Sequence, residues 1–555
     1  MGMIMNTNTV QSHWTLNVPG ANLNCDHEIF TIKYMYLIFK ELNSDLFEFE
    51  EIIRPGPDKT YNVDKMLPFT GWAHYHEVES CRGMEELWKH NIEAVNFVLN
   101  CTKPSKSTIG SFLLEYEDVI KLFDDFIKKF SVNLGLIEGK TIYWDGTFLK
   151  ANCNNHKKMY PTQILFLESF IKKHYGDYLN NESNIWEMLR NYYYNDHMYA
   201  EELQEILSQL KHNTNHHGIH LLKNAVLTDM NTNKIIKRLE HMKKNIHNKN
   251  SISIIDPDSR HMEDKKGIMG LNYNYQVGID PKYGFIVDNY ITQNPNDQNE
   301  LLTLTKRLNT ILGSDDYVLV ADHGYWKIKH IEEIYNTNTM IIIPDRGAAT
   351  RQKISNALKN KLELNQDEIT KSTFKKYNFI FLPEEDVYIC PFGMLLTRQD
   401  TYHKTNRKTK LYACNNCHEC PYKELCAKDK DRREFREPIN PAVEEAKFFF
   451  YSDFGQEYYS HRAHYAETPF AIQFESRNFR GLKNRGLKRV NSEMIRTSIT
   501  HNLKKIHKHM YNTVLKKILY KIRELKRIQK VTIDILKDWK DKLIYMGDRI
   551  IDIVF

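Results

Sequence analysis

No apolar run in this sequence approaches the roughly 20 residues needed to cross a bilayer, and the polar start, Met1 to Asn24, has no signal-peptide apolar stretch. Neither a membrane partner nor export is therefore expected, and a cytoplasmic location is. Charge imbalance is also slight. The chain has 77 Lys and Arg against 71 Asp and Glu, a net charge of +6. Any nucleic-acid footprint must then come from local clustering of basic residues rather than from bulk charge. Cysteine is sparse, at nine in 555 residues. Cys25, Cys81, Cys101 and Cys153 are scattered, while five fall between Cys390 and Cys426. That distribution excludes a disulfide scaffold and fits a reduced compartment with one metal site.

Three short patterns are present that suit one chemistry. Tyr143-Trp144-Asp145-Gly146-Thr147 and Val320-Ala321-Asp322-His323-Gly324-Tyr325 each set an acid at the tip of an apolar β-run, and Tyr459-x2-Arg462-x4-Glu467 sets one on a helix. Two strand-end acids and a helical acid can hold two divalent cations roughly 3.5 to 4 Å apart, the arrangement that activates one oxygen and stabilises another during in-line displacement at phosphorus. All-oxygen ligands favour Mg2+ or Mn2+. Arg462 can grip a phosphate through two parallel hydrogen bonds, and Tyr459 offers a hydroxyl and a stacking surface.

With their flanks, these patterns resemble the DDE transposases of bacterial insertion sequences, in the branch whose catalytic Glu is preceded by Tyr-x2-Arg. Tyr459, Arg462 and Glu467 are followed by Phe470, Arg485-Gly486, Val490, Glu493 and Asn502-Leu503, as in that family's C-terminal catalytic segment. Asp145-Gly146-Thr147 with Lys150-Ala151-Asn152, then Asp256-Pro257-Asp258-Ser259-Arg260, then Asp322-His323-Gly324-Tyr325 extend the likeness from about residue 80 to residue 508. The resemblance implies Asp145, Asp322 and Glu467 as the metal-holding catalytic acids, with Asp256, Asp258 and Arg260 near the site in supporting roles. Upstream, Arg82-Gly83-Met84-Glu85-Glu86-Leu87 and the stretch from Lys103 to Ile109, with Phe112, resemble the helical region that precedes the core. There Lys103, Lys106, Ser107 and Thr108 are candidate phosphate donors at a helix start. One departure stands out: the family usually has Lys seven residues after the Glu, where this chain has Phe474.

The fold class expected is α/β, an RNase H-like catalytic core with a helical N-terminal DNA-binding region and insertions. The pattern predicts a disordered tail over 1–26, the helical region over 27–136, and the first part of the core over 137–345. A helical insertion interrupts that part at about 154–250. A Cys-rich insertion over 346–446, the C-terminal part of the core over 447–510 and a basic amphipathic helix over 511–555 complete the division. Within the core, strands are predicted at Lys140 to Trp144, Gly270 to Ile279, Phe285 to Thr292 and Tyr317 to Ala321, with a helix from Asp297 to Leu312.

In the Cys-rich stretch, Cys414-x2-Cys417-x2-Cys420-x5-Cys426 plus Cys390 offers five thiols for one tetrahedral ion. A structural Zn2+, unmetallated thiols and an iron–sulfur cluster all remain open on spacing alone. Related proteins show Cys-x2-Cys-Pro-x4-Cys with an upstream Cys-Pro, which implies Cys390, Cys417, Cys420 and Cys426 as the zinc set. Downstream of Glu467 the basic run Arg477, Arg480, Lys483, Arg485, Lys488 and Arg489 is expected to track a DNA backbone. The resemblance thus implies a transposase that binds terminal inverted repeats and target DNA, most simply as a homodimer, and performs metal-dependent cleavage and strand transfer. A decayed copy that binds DNA without cutting, and a nuclease without transposition, share the same residues.

Overall fold

The computed structural model describes residues 27–44, 63–91, 94, 104–155, 158–165, 167–168, 232–246, 251–263, 267–345, 369–382, 385–404, 407–427, 431–438, 440–472 and 481–528. The expected tail over 1–26, most of the helical insertion, and Lys103, Phe474, Arg477 and Arg480 lie outside the described residues.

Among the described residues, five helices lead: α1 Glu28–Leu42, α2 Val63–Tyr75, α3 Cys81–His90, α4 Lys106–Glu115 and α5 Glu117–Asn133. Their starts follow ordinary capping chemistry, since Ser80 accepts from Gly83 N and Ser105 accepts from Thr108 N. In α1, Ile32, Met35, Tyr36 and Phe39 recur at helical spacing and are all buried. Each such side chain contributes about 1.5–3 kcal/mol on burial.

The sheet begins with β1 Thr141–Lys150. A two-residue strand, β2 Lys158–Met159, is followed across the insertion by helix α6 Thr232–Asn245 and then β3 Ile252–Ser253. β2 and β3 pair antiparallel, so the insertion leaves and re-enters the core at one point. Next come β4 Arg260–Glu263, β5 Met269–Asp280, β6 Phe285–Thr292, α7 Leu301–Leu312, β7 Val318–Val320, α8 Ile328–Ile334 and β8 Met340–Ile342. β5 runs antiparallel to β1 and β6, whereas β7 and β8 run parallel to β1 in the order β5-β1-β7-β8. Hairpin, helix, then a strand with an acid at its tip is the order expected from the sequence; the pairing adds that this strand runs parallel to β1. β1 differs in extent. It does not stop at Asp145 but continues to Lys150, because Gly146 keeps its pairing opposite Gln276 and Thr147 opposite Tyr275.

A separate five-stranded antiparallel sheet follows, from β9 Ile380–Leu382, β10 Val387–Ile389, β11 Leu395–Lys404 and β12 Arg407–Cys414 to β13 Glu434–Pro438, with the short helix α9 Lys423–Ala427 before the last strand. The chain then returns to the first sheet as α10 Pro441–Tyr451, α11 Asp453–Ser460, α12 Arg462–Ala471, α13 Leu487–His509 and α14 Asn512–Ile528.

Alternation along β1 sends its side chains to two different layers. Ile142 and Trp144 enter the large core shared with α1, α2, α5, α7 and α13, whereas Tyr143 packs with Val320, Ile342, Phe450 and Ala466 on the other face. The N-terminal helices therefore share one core with the first sheet. α13 holds them there, packing on α2, α5 and β6. Two of its residues close the open edge of β6: Asn502 accepts from Ile286 N at 2.9 Å and donates to Ile286 O at 2.8 Å, and Asn491 accepts from Ile291 N at 3.0 Å. Satisfying an edge strand from a packed helix removes a template for intermolecular pairing. A buried ionic group ties the same layers together, with Lys128 of α5 2.6 Å from Asp124 and Arg307 of α7 2.6 Å from Asp288 of β6.

Candidate active site

Asp145 sits on β1 with only 3% of its surface exposed, on the sheet face covered by α11 and α12. Asp322 follows β7, where its Oδ1 accepts from Gly324 N at 2.9 Å and starts a short 3-10 turn over His323–Tyr325. The parallel pairing of Tyr143 with Val320 brings the two acids to neighbouring strands. Both face one guanidinium: Arg462 Nη2 lies 3.1 Å from Asp145 Oδ1 and 3.7 Å from Asp322 Oδ2. Burial opposes a charge on Arg462, but Asp145 and Asp322 outweigh it and hold the guanidinium protonated. Its buried Nε has no hydrogen-bond partner among the described residues.

Packing explains how α12 reaches this spot. The Tyr143 hydroxyl donates to Tyr458 O at 3.2 Å, its ring lies 4.9 Å from that of Tyr465, and Ala466 is buried against the same face. Tyr459, partly buried, lies close enough to feel the site: burial raises its phenol, Arg462 lowers it, and Asp322 and Asp145 raise it. Residues 459 to 467 do not form one continuous helix, because α11 ends at Ser460 and α12 begins at Arg462, with His461 as the junction. Glu467 is on α12, beyond Arg462 and exposed. Among the described residues no three His, Cys, Asp or Glu side chains are grouped closely enough to hold a metal ion. The structure thus joins Asp145, Asp322, Arg462 and Tyr459, and leaves Glu467 on the adjoining helix at the solvent side.

A further acid, not singled out from the sequence, adjoins the pair. Asp297 Oδ1 accepts from Asn274 Nδ2 at 2.8 Å and Gln276 Nε2 at 2.6 Å. Burial raises its carboxyl, the two amides oppose that shift, and neighbouring Asp322 adds to it. Gln276 is the hub, with Oε1 accepting from Trp144 Nε1 at 2.8 Å and from the Tyr325 hydroxyl at 2.6 Å. Gly146 is required beneath this network, since a Cβ there would meet Gln276 Nε2 at 2.5 Å and Asp297 Oδ1 at 2.9 Å. The sequence did carry a signal. Asn272, Asn274 and Gln276 alternate with apolar Leu271, Tyr273, Tyr275 and Val277 along β5, so one face of a buried strand is lined by amides that need partners.

The supporting residues divide by role. Asp256 Oδ1 accepts from the Tyr273 hydroxyl at 2.8 Å and Gly486 N at 3.0 Å, and Asp258 Oδ2 accepts from Leu487 N at 2.9 Å. These two acids anchor the start of α13, and Arg260 donates to Pro257 O at 2.8 Å and Asn245 Oδ1 at 2.9 Å. Glu493 accepts from Lys483 N at 2.9 Å and Asn484 N at 2.9 Å, fixing the approach to α13. Near the N-terminus, Lys106 and Ser107 are exposed. The Ser107 and Thr108 hydroxyls lie 2.8 and 2.9 Å from Ser105 Oγ, within the cap of α4. Arg485 is exposed and its Nε donates to Asn152 O at 2.8 Å.

In the second sheet, Cys390, Cys414, Cys417, Cys420 and Cys426 all line one small cavity of about 20 Å³. Cys390 Sγ accepts from Phe392 N at 3.3 Å and Met394 N at 3.2 Å, and Cys417 Sγ accepts from Arg433 N at 3.4 Å. Burial, then the adjacent Cys417, pushes the Cys414 thiol up to about 12, and burial pushes Cys426 up to about 11. Cys414, the thiol left out of the expected zinc set, is therefore in the same cavity as the other four.

A family model described as "Transposase DDE domain" matches residues 389–507. The match supports a DDE transposase family, whose domain implies an RNase H-like core, divalent metal chemistry and DNA as partner. It covers well under half of the chain, including Arg462 and Glu467 but neither Asp145 nor Asp322. Neither curated proteins nor solved structures gave a match. Among the described residues no helix is long and apolar enough to cross a membrane.

Proposed function

We propose that this chain is the transposase of a DNA insertion sequence, binding terminal inverted repeats and catalysing DNA cleavage and strand transfer. The observation that carries the reading is the meeting of Asp145 and Asp322, from parallel neighbouring strands, at Arg462 from the family-matched segment. Carboxylates that converge on one cation from 3.1 and 3.7 Å form an oxygen-only, anionic donor pair, which fits Mg2+ or Mn2+. Asp145 and Asp322 would hold the metal ions, with Glu467 joining from α12. Bound there, the metal ions supply Lewis acidity to the attacking and leaving oxygens of an in-line displacement.

The chain's own groups do the positioning. Arg462, now shared between Asp145 and Asp322, would grip a non-bridging phosphate oxygen of bound DNA, a geometry that its five N–H donors suit. Tyr459 donates its hydroxyl to, or stacks beside, the same nucleotide. Water attacks the phosphodiester at an element end and the P–O3' bond breaks; the freed 3'-hydroxyl then attacks a target phosphodiester, forming a new P–O bond as the target's own P–O3' bond breaks and its 3'-oxygen leaves with a proton. Asp297, held by Gln276 and Asn274, fills the space beside Gly146 and Gly324, where a Cβ would meet its carboxylate at 2.9 and 3.5 Å. In the second sheet, the five cysteines line one cavity without being grouped closely enough to hold a metal as they stand; a structural Zn2+ would have to draw four of these soft thiols together, with N–H groups already aimed at the Cys390 and Cys417 sulfurs.

The reading is tested by incubating purified protein and Mg2+ with a duplex carrying the DNA that flanks its coding sequence. Site-specific nicks with 3'-hydroxyl ends, followed by joining to a second duplex, are expected. Binding without cutting would select the decayed-copy reading, and cutting without joining would select a nuclease.

A further inference from the structure

Helix α6, the described part of the insertion, is amphipathic in a specific way. It buries Ile235, Leu239 and Met242, while Lys234, Lys237, Arg238 and His241 recur at i, i+3, i+4 and i+7 and share another face. That face forms one wall of a cleft of about 540 Å³ whose floor is Ile255 to Asp258 and whose opposite wall is Arg485, Gly486 and Arg489. Arg485 and Arg489 are themselves four residues apart and exposed. Two rows of cationic side chains, from segments far apart in sequence, thus face each other across a groove.

The acids on the floor are committed elsewhere. Asp256 and Asp258 accept from the backbone of Gly486 and Leu487, and Asp258 also pairs with His241 at 2.8 Å. Arg238 is held by the carbonyls of Ile254 and Ile255. Its charge is therefore fixed in place without being cancelled. Among the described residues, Lys237, Arg238, Arg485 and Arg489 against two structurally engaged carboxylates leave the groove electropositive, and a continuous polyanion satisfies both walls better than one small anion could.

We infer that this cleft grips the phosphodiester backbone of duplex DNA away from the reacting phosphate, making α6 one side of a DNA clamp. The inference rests on the transposase reading and deepens it by naming where flanking DNA runs. Geometry connects the two places. β1 passes from Asp145 to Lys150, and Asn152 just beyond accepts from Arg485. Five residues of strand rise about 17 Å, which is about five phosphate steps along one strand at roughly 3.4 Å each. The cleft floor also reaches toward the site through Gln293, which donates to Asp258 O at 2.6 Å, and through Asn294, whose carbonyl accepts from the Asn274 amide that holds Asp297.

The test is the salt dependence of duplex binding by the full chain, measured by fluorescence anisotropy with DNA flanking the coding sequence, alongside cleavage in Mg2+. Lys237→Ala with Arg489→Ala should make the slope of log K against log salt shallower by about two phosphate contacts. The charge-conserving pair Lys237→Arg with Arg489→Lys should keep the slope, as should Lys140→Ala, an exposed lysine at the opposite end of β1. An unchanged slope in the alanine pair, an equal loss in Lys140→Ala, or preferential binding of RNA would overturn the clamp. If the parent still binds and cuts DNA in those cases, the transposase reading survives alone. A parent that binds no DNA overturns both.

Discussion

Replacing Gln276 with Leu tests the polar network that supports the two aspartates. Gln276 is fully buried, accepts from Trp144 Nε1 and the Tyr325 hydroxyl, and donates to Asp297. Leucine preserves much of the volume but strands two buried donors, each at about 1–3 kcal/mol, and removes a bond to a carboxylate worth about 1.5–3 kcal/mol. Partial relaxation and the gain from burying an apolar group reduce the sum to about 4 kcal/mol. Against a total stability of roughly 5–15 kcal/mol that is severe. Urea unfolding with linear extrapolation measures it. Gln276→Glu separates charge from packing, because it keeps an acceptor for Trp144 and Tyr325 but sets a carboxylate against Asp297. The new carboxyl has a raised folded-state pKa, so its deficit is largest at neutral pH and shrinks on acidification. A Gln276→Leu protein within about 1 kcal/mol of the parent would refute the network's role, since even one stranded donor costs that much.

Arg462→Ala should cost roughly 3 kcal/mol in the presence of a chelator, because it leaves two carboxylates facing each other without a cation, and Mg2+ or Mn2+ should restore part of the loss. Thermal melts with and without metal check this, and metal-independent melts would contradict it. Burial first, and Arg496 second, pull the His74 imidazole down from 6.5 to about 3. The unfolded chain therefore takes up a proton through that window that the folded chain refuses, so stability falls as the pH drops from about 6.5 toward 3. His74→Gln should flatten that acid limb in denaturation curves taken across the range. Elemental analysis should find about one zinc per chain, and strong chelation should lower the melting temperature through the Cys-rich sheet. Metal-free protein with an unchanged melt would remove the zinc from the account.

Much of this was legible because it was local. The β-runs before Asp145 and Asp322 and the strand Phe285–Thr292 are written in largely apolar residues, and the structure has strands there. The Tyr459 to Glu467 stretch was harder to read, because helical periodicity continues through His461 while the backbone breaks there, at the junction of α11 and α12. Asp297 was hidden by distance. Its partners Asn274, Gln276 and Asp322 lie on other elements, and only the amide alternation along β5 hinted that a buried acceptor was needed. The same reason hid the joining of the N-terminal helices to the first sheet: the contacts run through α13, hundreds of residues later. Asp256 and Asp258 flank a proline in a local turn, but their role as anchors of α13 depends on Gly486 and Leu487 meeting them in space.

The central claim is that Asp145, Asp322 and Glu467 perform metal-dependent chemistry on DNA rather than hold the fold. Single-turnover cleavage of an end-bearing duplex in Mg2+, measured beside duplex affinity, tests it for Asp145→Asn, Asp322→Asn and Glu467→Gln. Each variant should bind within a few-fold of the parent and cut at least about a thousandfold more slowly, about 4 kcal/mol of lost transition-state stabilisation. A variant that cuts at near the parent rate would contradict the assignment of that acid, and Glu467, exposed on α12, is the one whose result decides most.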